Sequence, residues 1–213
     1  MSGLRQRKKQ ETRARISGVG TALFFQRGFD AVSVSEIAEA ANVSRMTVFN
    51  YFPRKEDIFF DRRDEAVELL RGAIRDRPRS ATVLAALRAL VLGLLSRGHP
   101  FVAVSHGVRG FWAVVERSDA LRRHAGELLD QLETALAAML VEAVQAPALD
   151  PIARIAAGMI WSVFREVYRE GMRAVRDGDA ADTVRRKQRE LIHKGFDMLD
   201  AAFARTPYGR VRR

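Results

Sequence analysis

The chain has 213 residues, 47% hydrophobic and 29% charged, enough for one or two domains with a real core and too apolar for disorder. It has no cysteine, which excludes disulfides and thiolate metal sites. The formal net charge of +10 is uneven: residues 1–55 hold ten Lys or Arg against four Asp or Glu, a bias that suits a polyanionic partner.

In chain order, residues 1–9 read as a frayed basic arm. A helix follows over 10–27, where Ile16, Val19, Gly20, Leu23 and Phe24 share one face, and Gly28 ends it. The next stretch, 33–55, carries the most information. Ile37, Ala38 and Ala41 give a short helix an apolar, small-residue face. Asn42 tolerates the left-handed backbone of a sharp turn, Val43 plugs the turn from below, and Ser44 suits the N-cap of the following helix. Val48 then faces inward and leaves Arg45, Met46, Thr47, Asn50 and Tyr51 outside. This is the pattern of a helix-turn-helix, whose second helix enters the major groove.

Pro53 stops that helix and can begin a fourth, over 53–75. Breaks at Pro78, Gly98-His99-Pro100, Ser118, Pro147 with Pro151, and Asp177-Gly178 then leave five more helices, over 80–97, 100–116, 119–145, 151–175 and 181–204. No segment has a strand signal. The expected fold is all-α with about nine helices: a DNA-binding domain over 1–57 and a helical domain over 58–213. In 151–175 one stripe runs through Ile152, Ile155, Ala156, Met159, Ile160, Val163 and Val167, and a second through Ala157, Trp161, Phe164 and Tyr168. The last helix has Val184, Leu191, Gly195, Leu199, Ala202 and Phe203 as its apolar face. Two such helices suit a four-helix interface in a homodimer.

The run Asn42-Val43-Ser44, Thr47, Phe49, Tyr51, Phe52, Pro53 and Lys55, with Arg13, Ile16, Leu23, Phe24, Gly28, Phe29, Val34, Ile37 and Ala38 upstream, resembles the DNA-binding end of TetR-type bacterial repressors. There the turn reads Gly-Val-Ser, then Thr-x-Tyr-x-(His or Tyr)-Phe, then Lys. Asn42 stands for the usual Gly. Phe49 stands for the usual Tyr and lacks a hydroxyl for phosphate, so it is expected to pack apolar surface or touch a thymine methyl. Gly18 and Gly20 stand where Ala is expected, each costing the first helix about 0.5–1 kcal/mol. The resemblance implies a homodimer on a palindromic operator in double-stranded DNA, repressing transcription until a small effector releases it.

The DNA-binding candidates are Ser33, Ser44, Arg45, Met46, Thr47, Phe49, Asn50, Tyr51 and Lys55. Arg45 suits the O6 and N7 acceptors of guanine, while Ser44, Thr47, Tyr51 and Lys55 suit phosphates and fix register. The effector candidates are His106, Arg109, Phe111, Trp112, Met139, Trp161, Phe164 and Tyr168, an aromatic set with few polar groups, as small-molecule sites are made. They imply an apolar or aromatic ligand, with an anionic group as an option because Arg109 and His106 share a helix with Trp112. Both tryptophans, Trp112 and Trp161, fall in the expected helical domain. The four His form no metal-ligand pattern, and no phosphate loop or nucleophile motif appears. Catalysis, metal and cofactor are therefore not expected.

Two rivals remain: an architectural DNA-binding protein without effector, and an all-helical enzyme with an added helix-turn-helix. No uncharged apolar run reaches the ~18 residues of a membrane span, because Arg88 interrupts 81–95. The N-terminus lacks a signal peptide's apolar core. A soluble, cytoplasmic chain is expected. The C-terminal Arg205, Arg210, Arg212 and Arg213 read as a solubility feature rather than a site.

Overall fold

The computed structural model describes residues 2–211, with side chains from Gln6 onward. Met1, Arg212 and Arg213 lie outside the described residues, and so do the side chains of residues 2–5. Ten α-helices and no strand occur among the described residues: α1 Ser2–Arg27, α2 Val34–Ala40, α3 Arg45–Tyr51, α4 Lys55–Phe59, α5 Arg63–Arg75, α6 Val83–Ser96, α7 His106–Glu116, α8 Asp119–Val144, α9 Pro151–Arg176 and α10 Ala181–Phe203. A 3-10 turn over Pro207–Gly209 follows. No described helix is long and apolar enough to cross a membrane.

The all-α expectation holds, with three local corrections. The stretch expected as a frayed arm is the start of α1. Its Gln, Lys, Arg and Glu residues are good helix formers, and the Arg7 guanidinium meets Glu11 one turn on at 3.0 Å. The helix expected over 53–75 breaks at Phe60. Consecutive helical residues diverge by about 100°, whereas Phe59 and Phe60 both pack on Phe111, at 4.3 and 5.6 Å between ring centroids. Leaving the helix lets both rings reach the same partner.

The third correction concerns 100–116, which becomes helical only at His106. Val102, Ala103 and Val104 instead bury themselves in a turn. Their backbone is served by Gln188, which has no exposed surface. Its Nε2 donates to the carbonyls of Val102 (2.7 Å) and Val167 (3.2 Å), and its Oε1 accepts from Val104 N–H at 3.4 Å. A buried amide thus replaces the helical hydrogen bonds the segment gives up.

The chain packs as two compact units. One runs to Arg63 and takes in Gly110–Glu127; the other comprises Asp64–Arg109 and Leu128–Arg213. The first unit therefore reaches past the boundary expected at residue 57 and is discontinuous in sequence. Its core joins Ile16, Phe24, Ile37, Val48, Phe52 and Ile58 to Val115 and Leu121. Gly20 lies at the closest approach, where a Cβ would stand 2.6 Å from Ile58 Cγ2. That contact explains a glycine in mid-helix despite its propensity penalty.

The second unit is built on Leu84, Leu87, Leu95, Leu136, Leu140, Ile160 and Phe196. Asp150 uses both carboxylate oxygens: one accepts from Ile152 N–H at the start of α9 (2.9 Å), the other from the Tyr208 hydroxyl (2.5 Å). Burial, then the adjacent carboxylate, raises the pKa of that buried phenol. The α9–α10 contact is tight at Gly195, where a Cβ would meet Val163 Cγ1 at 2.5 Å. Val184, Gly195, Leu199 and Phe203, expected on an intersubunit face, are buried inside the chain, while Ala202 is exposed. On α9 and α10 the large apolar side chains left in solvent are Ile152, Ile155, Met159 and Met198.

Candidate nucleic-acid interface

Local chemistry frames both helices of the motif. Ser33 is the N-cap of α2 in a complete capping box: its Oγ accepts from Glu36 N–H (3.2 Å), and Glu36 Oε2 accepts from Ser33 N–H (2.8 Å). Arg27 donates to the other carboxylate oxygen at 2.7 Å. The Ser33 backbone bond, the Ser33 hydroxyl and then Arg27 hold the Glu36 pKa down at about 2. The turn passes through Asn42 at φ +51°, the left-handed conformation its side chain tolerates. Ser44 then caps α3, its Oγ accepting from Thr47 N–H at 3.0 Å and lying 2.9 Å from Thr47 Oγ1.

Val48 is sealed beneath α3. Arg45, Met46, Phe49 and Asn50 are exposed, and Thr47 and Tyr51 are half-buried at the edges. No protein partner pairs with Arg45 or Asn50 among the described residues, so both keep their hydrogen-bonding capacity for something outside the chain. The far end of α3 is tied to α1: Arg13 donates to the Tyr51 carbonyl (3.1 Å) and the Asp61 carbonyl (3.3 Å), with its guanidinium 4.5 Å from the Phe52 ring centroid. Ser17 adds hydrogen bonds to Asp61 Oδ2 and, at 3.5 Å, to the Ile58 carbonyl.

Lys55 sits differently from its expected role as a phosphate contact. Its ammonium donates to the carbonyls of Phe29 (3.0 Å) and Val32 (2.9 Å) and lies 4.1 Å from the Phe29 ring centroid. Two of its three protons thus secure the loop between α1 and α2. Desolvation lowers its pKa, partly offset by Asp30 and Glu56.

α4 is gripped by the Gly110–Glu127 part of the same unit. Phe59 and Phe111 stack face to face with 2° between planes. His124 Nε2 stands 3.1 Å from Asp57 Oδ1, an ion-pair distance without hydrogen-bond alignment, and Arg54 meets Glu127 at 2.8 Å. Phe59 and His124 are not among the sequence-predicted site residues, and the adjacent Phe59-Phe60 pair is their one visible signal; Arg13 enters the sequence reading only among the residues of the family resemblance.

The effector candidates fall into separate clusters. Phe111 and Trp112 pack on the core of the first unit, so Trp112 is not in the helical unit as expected. Met139 is buried in the main core of the second unit, with Trp161 and Phe164 packed against that core. Tyr168 belongs to a small cluster with Val104 and Ala174. His106 and Arg109 are exposed. Trp161 Nε1 is buried with no hydrogen-bond partner. The second unit also carries an open groove of about 450 Å³ between α5 and α6, lined by Leu69, Gly72, Ala73, Ala86, Ala89 and Leu90 among others, none of them an expected contact.

A capped, outward-facing α3 held on a three-helix scaffold defines a helix-turn-helix DNA-binding protein. Residues 18–61 match the model of the bacterial regulatory proteins of the tetR family. It is 32% identical over 95 residues to the HTH-type transcriptional regulator TcmR of Streptomyces glaucescens, a match covering 45% of this chain and 42% of that protein. It is 41% identical over 54 residues to the HTH-type transcriptional regulator AcrR of Shigella flexneri, covering 25% of each. The matches thus span less than half the length of either relative. In structure it is similar to NalD, the secondary repressor of the MexAB-OprM multidrug efflux pump in Pseudomonas aeruginosa, with TM-score 0.55 at 20% identity over 89% of this chain and 97% of that one. That likeness extends the shared fold to the helical unit.

Proposed function

We propose that the chain is a cytoplasmic homodimeric repressor that binds a palindromic operator and releases it when a small apolar or aromatic molecule occupies the helical unit. The observation that carries this reading is the exposed face of α3: unpaired Arg45 and Asn50, on a helix fixed at both ends by Ser44 and Arg13. A two-fold dimer presents two such helices to half-sites about one helical turn apart. The solvent-facing Ile152, Ile155, Met159 and Met198 supply the apolar surface a subunit contact needs. Effector contacts made in one arrangement of the helical unit shift the equilibrium between arrangements and with it operator affinity. The buried, unpartnered Trp161 Nε1 supports a ligand acceptor in its neighbourhood, since such donors are nearly always paired.

The test is selection of binding sites from random duplex DNA, with sedimentation of the recovered complex. A pseudo-palindrome bound by two chains supports the reading; a non-symmetric site bound by one chain refutes it. Arg45→Ala should then cost about 1–3 kcal/mol and relax preference at one position of each half-site. Equal weakening on all sequences would make Arg45 a phosphate contact. A true effector should perturb Trp161 fluorescence and operator affinity over one concentration range. If a broad panel of apolar and anionic compounds moves neither, the effector-free architectural reading replaces this one.

A further inference from the structure

The recognition helix carries an apolar reading edge. Among the described residues of the first unit, three large apolar side chains are exposed: Phe25, Met46 and Phe49. Phe25 has protein neighbours, with the Phe59 ring 6.1 Å away. The other two both lie on the seven-residue α3, Met46 at 69% and Phe49 at 42% exposure, and neither has a ring partner among the described residues. At about 100° per residue, the order around the helix is Arg45, Phe49, Met46, Asn50. The apolar pair therefore occupies the middle of the face that the two unpaired polar side chains flank. Leaving two such side chains in water is unfavourable, and neither contributes to the core that Val48 and Phe52 fill from the opposite side.

We propose that Met46 and Phe49 are specificity-determining residues that pack against the C5-methyl groups of thymines in each half-site, between the bases read by Arg45 and Asn50. This rests on the DNA-binding reading above and deepens it by naming the base chemistry. In the major groove the thymine methyl is the one apolar group a base edge offers, and apolar side chains are its partners. Phe49 supplies a rigid ring, and Met46 a flexible, polarisable chain that adapts to the step beside it. The excess of Lys and Arg in residues 1–55 favours DNA over an apolar protein partner on this face. Asn50 suits an adjacent adenine, so the half-site should combine a guanine with a short A/T segment.

The experiment uses the full chain and the site it selects from synthetic random duplex, in which thymine is the sole 5-methyl base. Each thymine is replaced in turn by deoxyuridine, which removes the methyl and leaves every hydrogen-bonding group in place. One or two positions per half-site should lose affinity, each about fourfold, the worth of one buried methyl group. Met46→Ala or Phe49→Ala should bind the thymine site more weakly and lose the thymine-over-uracil preference at its own position, while Met46→Leu should keep it. Both side chains are exposed, so the variants should fold, and circular dichroism checks this. If uracil at every position leaves affinity unchanged, or if the uracil penalty persists in both alanine variants, the inference is wrong while the DNA-binding reading stands. Recovery of no selected site would overturn that reading and this inference together.

Discussion

Gly195→Ala is a substitution for which helix propensity and packing predict opposite signs. Alanine in mid-helix is favoured over glycine by about 1 kcal/mol, so on propensity alone α10 should gain stability. The structure argues otherwise: an added Cβ would stand 2.5 Å from Val163 Cγ1, 2.9 Å from Cγ2 and 3.3 Å from Cβ. Val163 cannot swing aside, because a helical valine holds one χ1 rotamer about 90% of the time. Overpacking of this kind costs about 1–3 kcal/mol, which exceeds the propensity gain over most of its range. Gly195→Ala should therefore destabilise the second unit by up to about 2 kcal/mol. Val163→Ala removes both clashing methyls, so in that background the same change should be neutral or stabilising by up to about 1 kcal/mol. The assay is urea unfolding followed by Trp161 fluorescence in a Trp112→Phe background, at one fixed protein concentration because a dimer's stability depends on it. A stabilised Gly195→Ala single variant, or the same shift in both backgrounds, would refute the packing argument.

Three further expectations follow from contacts described above. Lys55→Ala should loosen the α1–α2 loop and lower both thermal stability and operator affinity, yet leave the salt slope of binding nearly intact; a slope smaller by about one would return Lys55 to the phosphate contacts. Ile155→Glu or Met198→Glu should yield folded monomers in sedimentation, whereas Leu199→Glu, at a site 1% exposed inside the chain, should unfold it; dimers from both surface variants would refute that face. The Glu36 carboxyl should titrate near 2 by NMR, and because its folded value lies below the ordinary 4.5, its stabilising contribution is complete above that value and lost as pH falls towards 2. A midpoint at or above 4.5 would mean the capping box does not form in solution.

The helix-turn-helix was legible because its signals are local. Ser44 as cap, Asn42 as the left-handed turn residue and Val48 as the inward plug each act within a few positions of themselves. What escaped is set by distant partners. Phe59 and Phe60 looked like continuous helix until Phe111 supplied a reason to break it. Gly20 looked like a defect until Ile58 filled the space in front of it, and Gly195 like one more apolar-face position until Val163 did. Gln188 sat on a stripe that periodicity assigned to apolar packing, and its three backbone partners lie 21 to 86 positions away. The aromatic effector set is dispersed over several clusters for a related reason: helical spacing reports which face a residue occupies, not which of several clusters that face meets.

The discontinuous first unit bears on how regulators of this build can be recombined. A chimera cut just after α4, to graft this DNA-reading head onto another sensor, would carry Phe59 without Phe111, Asp57 without His124 and Arg54 without Glu127. The transplanted piece would expose the aromatic surface that normally seals it, and poor solubility would pass for poor operator recognition. A graft that also transfers Gly110–Glu127 keeps those partners together. In this protein the portable module is a head with a separate clasp, and the clasp is encoded some fifty residues downstream.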